Sequence, residues 1–106
     1  MQVRIIAESR IKEWCESYSM IKAALLHWLA LMKTCTASSF VELQQVFNSV
    51  DQVKVGSNKT VCVFDLGGKK SAHRLIAAIH FNTQIVFVLL LLTHAEYDKE
   101  TWKNEL

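Results

Sequence analysis

Gln84-Ile85-Val86-Phe87-Val88-Leu89-Leu90-Leu91-Leu92 runs directly into Thr93-His94-Ala95-Glu96-Tyr97-Asp98-Lys99. The apolar run from Ile85 to Leu92 is eight residues long, where a membrane-spanning helix needs about 20. It is bounded by a turn signal, Asn82-Thr83, and by a helix-start signal at Thr93. A short apolar run so punctuated reads as a buried strand, and one apolar on both sides reads as a central strand. Thr93 and Glu96 have the spacing of a capping box, in which hydroxyl and carboxylate each satisfy the other residue's backbone N–H. A short helix is therefore expected from His94 to about Trp102, with Tyr97 and Trp102 as its apolar contacts.

Upstream, the strand pattern continues to Val50. Asp51 to Val55 and Thr60 to Leu66 are joined by the turn sequence Gly56-Ser57-Asn58. Gly67-Gly68 opens the next connection, and a further strand runs from Ser71 or His73 to Phe81. Short links between sequential strands predict an antiparallel meander. The N-terminal half is helical instead, after a short first strand from Gln2 to Ile6. Ser9 offers an N-cap hydroxyl. Ile11, Trp14, Cys15 and Tyr18 then fall on one helical stripe. Met20, Ile21, Ala24, Leu25, Trp28, Leu29 and Met32 form a second stripe that ends near Thr34. Ser39 and Glu42 make another capping box ahead of Phe40, Leu43 and Phe47. The expected architecture is α/β of the α+β kind. N-terminal helices pack on one face of a small, mainly antiparallel sheet, a short C-terminal helix follows, and residues 1–106 form one domain.

Composition narrows the function. The chain has 106 residues with formal net charge +2, from 12 Lys+Arg against 10 Asp+Glu. The basic residues include only three arginines, Arg4, Arg10 and Arg74, fewer than a strongly salt-dependent phosphate binder carries. Cys15, Cys35 and Cys62 cannot all pair within one chain, and their spacing matches no zinc pattern. The reading is an intracellular, cytoplasmic chain with reduced thiols and without metal or other cofactor.

Thr93 to Lys99 carries the densest chemistry. On a helix starting at His94, Tyr97 and Asp98 lie at i+3 and i+4, so imidazole, phenol and carboxylate share one side. Imidazole moves protons near neutral pH, and a phenol donates to a phosphate oxygen. The alternative is that Thr93 and Glu96 merely cap a helix, with His94 solvated and Tyr97 in the core. On the preceding strand, alternation puts His73, Leu75, Ala77, Ile79 and Phe81 on one face and Arg74, Ile76, Ala78 and His80 on the other. An Arg mid-sheet needs an anion: a phosphate, or one of Asp65, Glu96 and Asp98. Lys69 and Lys70 after Gly67-Gly68 either reach a nucleic-acid backbone or solubilise a turn. They do not form a P-loop, because the spaced glycines are missing.

Three stretches together resemble the HigB family of bacterial toxins within the RelE-like superfamily. These are Phe64-Asp65-Leu66-Gly67-Gly68-Lys69-Lys70, the segment Arg74 to Phe81, and Thr93-His94-Ala95-Glu96-Tyr97-Asp98-Lys99 with Trp102-Lys103. The resemblance implies a metal-independent endonuclease of messenger RNA acting during translation on the ribosome, held inactive by a HigA-like helix-turn-helix antitoxin. It implies catalytic roles for Arg74, His94 and Tyr97, and RNA contacts from Lys69, Lys70, His73 and Lys99. DNA would be met only through the antitoxin, and no membrane is involved. One departure stands out: Leu89 and Leu90 occupy the place of the family's usual Arg-His pair. A second is the added length of Ser71-Ala72-His73 before Arg74. The first departure supports a rival expectation, a weakened or inactive relative that only binds its antitoxin.

Overall fold

The computed structural model describes residues 3–66 and 73–106. The elements run β1 (Arg4–Ile6), α1 (Ser9–Ser17), a 3-10 turn (Ser19–Ile21), α2 (Lys22–Thr34) and α3 (Phe40–Val46). They continue with β2 (Asp51–Lys54), β3 (Thr60–Leu66), β4 (His73–His80), β5 (Ile85–Thr93), α4 (His94–Asp98) and a 3-10 turn (Thr101–Glu105). Gly67-Gly68, Lys69, Lys70 and Ser71 lie outside the described residues. Among the described residues no helix is long and apolar enough to cross a membrane.

The sheet order is β1-β5-β4-β3-β2. β2 to β5 form the antiparallel meander that their short connections predict. β1 departs from it, lying parallel to β5 with Arg4 opposite Ile85 and Ile6 opposite Phe87. β5 is thus an interior strand, as its two apolar sides require, but the middle of the sheet is β4.

Two apolar clusters sit on the two faces. The helical face buries Ile11, Leu25, Trp28, Met32, Leu43, Phe64, Leu75 and Val86. Trp28, Phe47 and Phe64 meet there edge-on or tilted, with Trp28 and Phe64 centroids 5.4 Å apart. Each such side chain contributes about 1.5–3 kcal/mol of transfer free energy. The opposite face gathers Val55, Val61, Val63, Ile76, Leu92 and Trp102 beneath the C-terminal segment. The sheet is therefore covered on both sides, by α1–α3 on one and by α4 with its following turn on the other.

A β-bulge shapes β5. Ile76 pairs with Leu90 and the next residue, Ala77, with Val88, so Leu89 is an extra residue. A bulge puts two successive side chains on one side. Leu89 and Leu90 both join the Trp102 cluster, whereas Val88 and Leu91 face the helices. The Arg10 guanidinium reaches across from α1 and donates to the carbonyls of Val88 at 3.1 Å and Leu89 at 2.8 Å. It supplies bulged backbone acceptors with a partner beyond the end of the β1 pairing.

Three local expectations need correction. Ser9 is the first helical residue of α1 and not its cap. Ala7 takes φ 66° and the N-cap is Glu8, without a side-chain capping bond. Met20 is 82% exposed, because the 3-10 turn advances the chain by about 120° per residue and rotates Ile21 inward in its place. The last helix stops at Asp98, since Glu100 adopts φ 60° and a 3-10 turn replaces the helix through Trp102.

Candidate functional site

Cross-strand register builds the site. Asp65 on β3 lies directly opposite Arg74 on β4, and both project to the face covered by the C-terminal segment. Arg74 Nε meets Asp65 Oδ1 at 2.8 Å. Of the three acids within reach in sequence, Asp65 is thus the partner. Arg74 also donates to its neighbour's carbonyl, His73 O, at 3.3 Å. These contacts fix the plane of the guanidinium and, among the described residues, leave its other N–H groups for an acceptor. The carbon at its centre lies 5.7 Å from the Tyr97 ring centroid.

Tyr97 stacks in turn on Trp102, with centroids 5.5 Å apart and planes at 23°. Lys103 Nζ lies 5.9 Å from the Trp102 ring. The order guanidinium, phenol, indole, ammonium places two cations on the faces of two aromatic rings, where the ring quadrupole attracts them. The Trp102 Nε1–H donates to Tyr97 O at 3.1 Å and fixes the end of α4 against the turn. Burial raises the pKa of Tyr97, with Asp51 and Asp65 adding to the rise and Lys103 and Arg74 opposing it. The hydroxyl therefore stays protonated at neutral pH.

α4 is anchored by the expected capping box. Glu96 N–H donates to Thr93 Oγ1 at 3.2 Å and Thr93 N–H to Glu96 Oε1 at 2.9 Å. The bonds from Thr93 lower the pKa of Glu96, so this carboxylate is ionised and committed to the cap. His94 stands in the first turn, 54% exposed, with Nε2 at 3.3 Å from Asp98 Oδ2. Residues three apart on a helix are neighbours at about 5–6 Å between Cβ atoms, which sets His94 beside Tyr97. The carboxylate holds one ring nitrogen.

The structure brings Arg74, Tyr97 and His94 to one end of β4 and β5. His73 is separated from them by strand alternation. It is buried on the helical face, its ring 5.6 Å from Tyr18 in an edge contact, and it pairs in register with Thr93. Lys99 is exposed just past α4, beside a hollow of about 260 Å³ lined also by Leu90, Leu92, Glu96 and Trp102. Lys69 and Lys70 fall outside the described residues. Asp65 is the expected candidate that pairs with Arg74, while Asp51 and Lys103 enter as electrostatic neighbours of Tyr97 that no motif marks. Only the β3–β4 register, not a motif, could have set Asp65 against Arg74. The cysteines are buried and free; burial pushes the Cys62 thiol up to about 11, which removes it as a nucleophile.

The sequence model of a family described as HigB_toxin, RelE-like toxic component of a toxin-antitoxin system, matches residues 21–100. That span runs from α2 to the end of α4 and includes Asp65, Arg74, His94 and Tyr97. No curated protein matches the chain.

Proposed function

The chain belongs to the HigB family, the RelE-like toxic component of a toxin-antitoxin system, and on that premise we propose that it is an endonuclease of messenger RNA that works without a metal during translation. The observation that carries the reading is the guanidinium of Arg74 held against the Tyr97 ring, on the same short helix as the His94–Asp98 pair. In the reaction the ribose 2′-OH attacks the adjacent phosphorus in line. The bond to the 5′-oxygen breaks, leaving a 2′,3′-cyclic phosphate and a 5′-hydroxyl. Charge grows on the non-bridging oxygens as the fifth bond forms, and the free N–H groups of Arg74 neutralise it. The protonated Tyr97 hydroxyl donates to the same oxygens or aligns the phosphate. His94 exchanges the proton that must leave the 2′-OH or reach the 5′-oxygen, and Asp98 orients its ring. Lys99, Lys69 and Lys70 hold the flanking backbone. The partner is a HigA-like helix-turn-helix antitoxin, and the pair acts in the cytoplasm.

A second reading draws on Leu89 and Leu90. Both belong to the apolar Trp102 cluster, at positions where the family resemblance implies cations. Arg74 meanwhile shares its charge with Asp65. A member so depleted of cations would bind antitoxin and cut slowly or not at all. Expression without antitoxin separates the two. Arrested growth and cleaved message in a translating extract support the nuclease. Normal growth with intact message, alongside retained antitoxin binding, supports the second reading. Arrest that persists in the combined Arg74→Ala, Tyr97→Ala and His94→Ala chain rejects the site.

A further inference from the structure

The face that carries Arg74 holds a second feature. A groove of about 610 Å³ opens over β4 between β3 and β5. Its floor is Ala78, flanked by Val61 on one side and by Phe87 and the bulged Leu89 on the other, with exposed Lys59 and His80 at its margin. The depth follows from the sequence. Arg74, Ile76, Ala78 and His80 alternate onto this face, and Ala78 has the smallest side chain of the four. The His80 imidazole meets the Phe87 ring at 84°, with centroids 5.4 Å apart. Among the described residues, no Asp or Glu lines the groove, Lys59 is its one Lys or Arg, and Leu106 lies at its rim. The hollow beside Lys99 contrasts with it, since Glu96 and Glu105 both line that one.

An aromatic wall, an apolar floor and one flanking cation suit a flat heterocycle joined to a phosphate. We propose that this groove receives one unpaired base of the RNA strand whose scissile phosphate lies at Arg74, and so sets a base preference near the cut. The base stacks on the exposed His80 ring with its edge toward Phe87, which stands at 84° to it, and its phosphate meets Lys59. Ala78 lies four residues along β4 from Arg74, about 13 Å at strand rise, so the base is offset from the scissile bond. The inference depends on the RNA reading of the Arg74 site, and the test below separates the two.

Binding of a labelled, short single-stranded RNA with every 2′-OH methylated is measured by fluorescence anisotropy on the full chain. His80→Ala, at an exposed position, and Ala78→Leu, which fills the floor, should each weaken binding about tenfold, the loss of one stacked base. Lys59→Ala should weaken it less and reduce its salt dependence. An abasic nucleotide at one fixed position should weaken wild-type binding similarly and add nothing in His80→Ala. The groove proposal is overturned if His80→Ala and Ala78→Leu both bind like wild type while Arg74→Ala does not; the RNA reading then stands alone. It is equally overturned if Ala78→Leu keeps RNA but loses the antitoxin, which makes the groove a protein-docking site. Absence of RNA binding by the wild-type chain, both to the free strand and to the same strand on a ribosome, defeats the RNA reading and this inference with it. Melting curves by circular dichroism identify any unfolded variant, and His80→Ala, which leaves the core untouched, decides if Ala78→Leu does not fold.

Discussion

Replacing Arg74 with alanine removes the charge around which the proposed site is organised, and its two consequences have different sizes. The structural loss is small. The Arg74 and Asp65 side chains are 22% and 41% exposed, so solvent screens the pair, and a cross-strand ion pair of this kind contributes about 0.5–1 kcal/mol. The contact with Tyr97 adds about 0.5 kcal/mol. A total near 1–1.5 kcal/mol lowers the melting temperature of a domain this size by roughly 5–10 °C and leaves it folded. The catalytic loss is larger, because a preorganised donor to developing charge is worth about 10²–10³ in rate. Cleavage of a defined message in a reconstituted translation reaction, read by primer extension, should therefore fall about a hundredfold or more below wild type at a temperature where both chains are folded. Arg74→Lys keeps the charge but loses the fork, and should fall between. Cleavage by Arg74→Ala within about threefold of wild type, with the expected drop in melting temperature, would show that Arg74 is structural and refute the reasoning.

Four further outcomes follow from the same contacts. Thr93→Ala should destabilise α4 by about 1 kcal/mol and speed amide exchange at residues 94–98. Because the folded pKa of Glu96 lies below its ordinary value of 4.5, its stabilisation is complete above that value and is lost as pH falls through the lower folded value. Glu96→Gln should flatten this acid limb in pH-dependent melting, and an unchanged limb would reject the assignment. Gly56 sits so close to the C-terminal turn that an added Cβ would lie 3.0 Å from Lys103 O, and Gly56 N–H donates to that same carbonyl at 2.8 Å. Gly56→Ala should cost about 1–3 kcal/mol and red-shift tryptophan emission as the packing of Trp102 loosens; an unchanged melting temperature and emission would reject the contact. Leu89→Arg puts a cation on the Arg74 face; cleavage should rise, and no change counts against the idea that this chain lacks a phosphate contact.

Much of the architecture was legible because it rests on local rules. Alternation along β4 correctly divided His73 from Arg74. The Thr93 capping box fixed the start of α4, and Gly56-Ser57-Asn58 marked a turn in which Asn58 takes φ 68°. What the sequence concealed depends on partners distant in the chain. The bulge at Leu89 exists only in the pairing with Ile76 and Ala77, so an unbroken run of leucines gave no sign that two neighbours share a face. The parallel seat of β1 on β5 is set by the whole helical layer between them. Asp65 became the companion of Arg74 through register, although Asp98 and Glu96 were equally plausible by composition. Met20 and Ser9 were misplaced for a simpler reason: one 3-10 turn and one residue at positive φ shift helical phase, and neither Ser19 nor Ala7 announces it.

The central claim is that protein side chains alone drive attack by a ribose 2′-OH at a phosphate beside Arg74. It is tested most directly by replacing the ribose at a mapped cleavage site with deoxyribose and assaying wild-type cleavage of the message during translation. The account predicts that the unmodified message is still cut and ends in a 2′,3′-cyclic phosphate, whereas the substituted site stays intact. Cleavage at the deoxy position, or product ends that never carry a 2′,3′-cyclic phosphate, would contradict it.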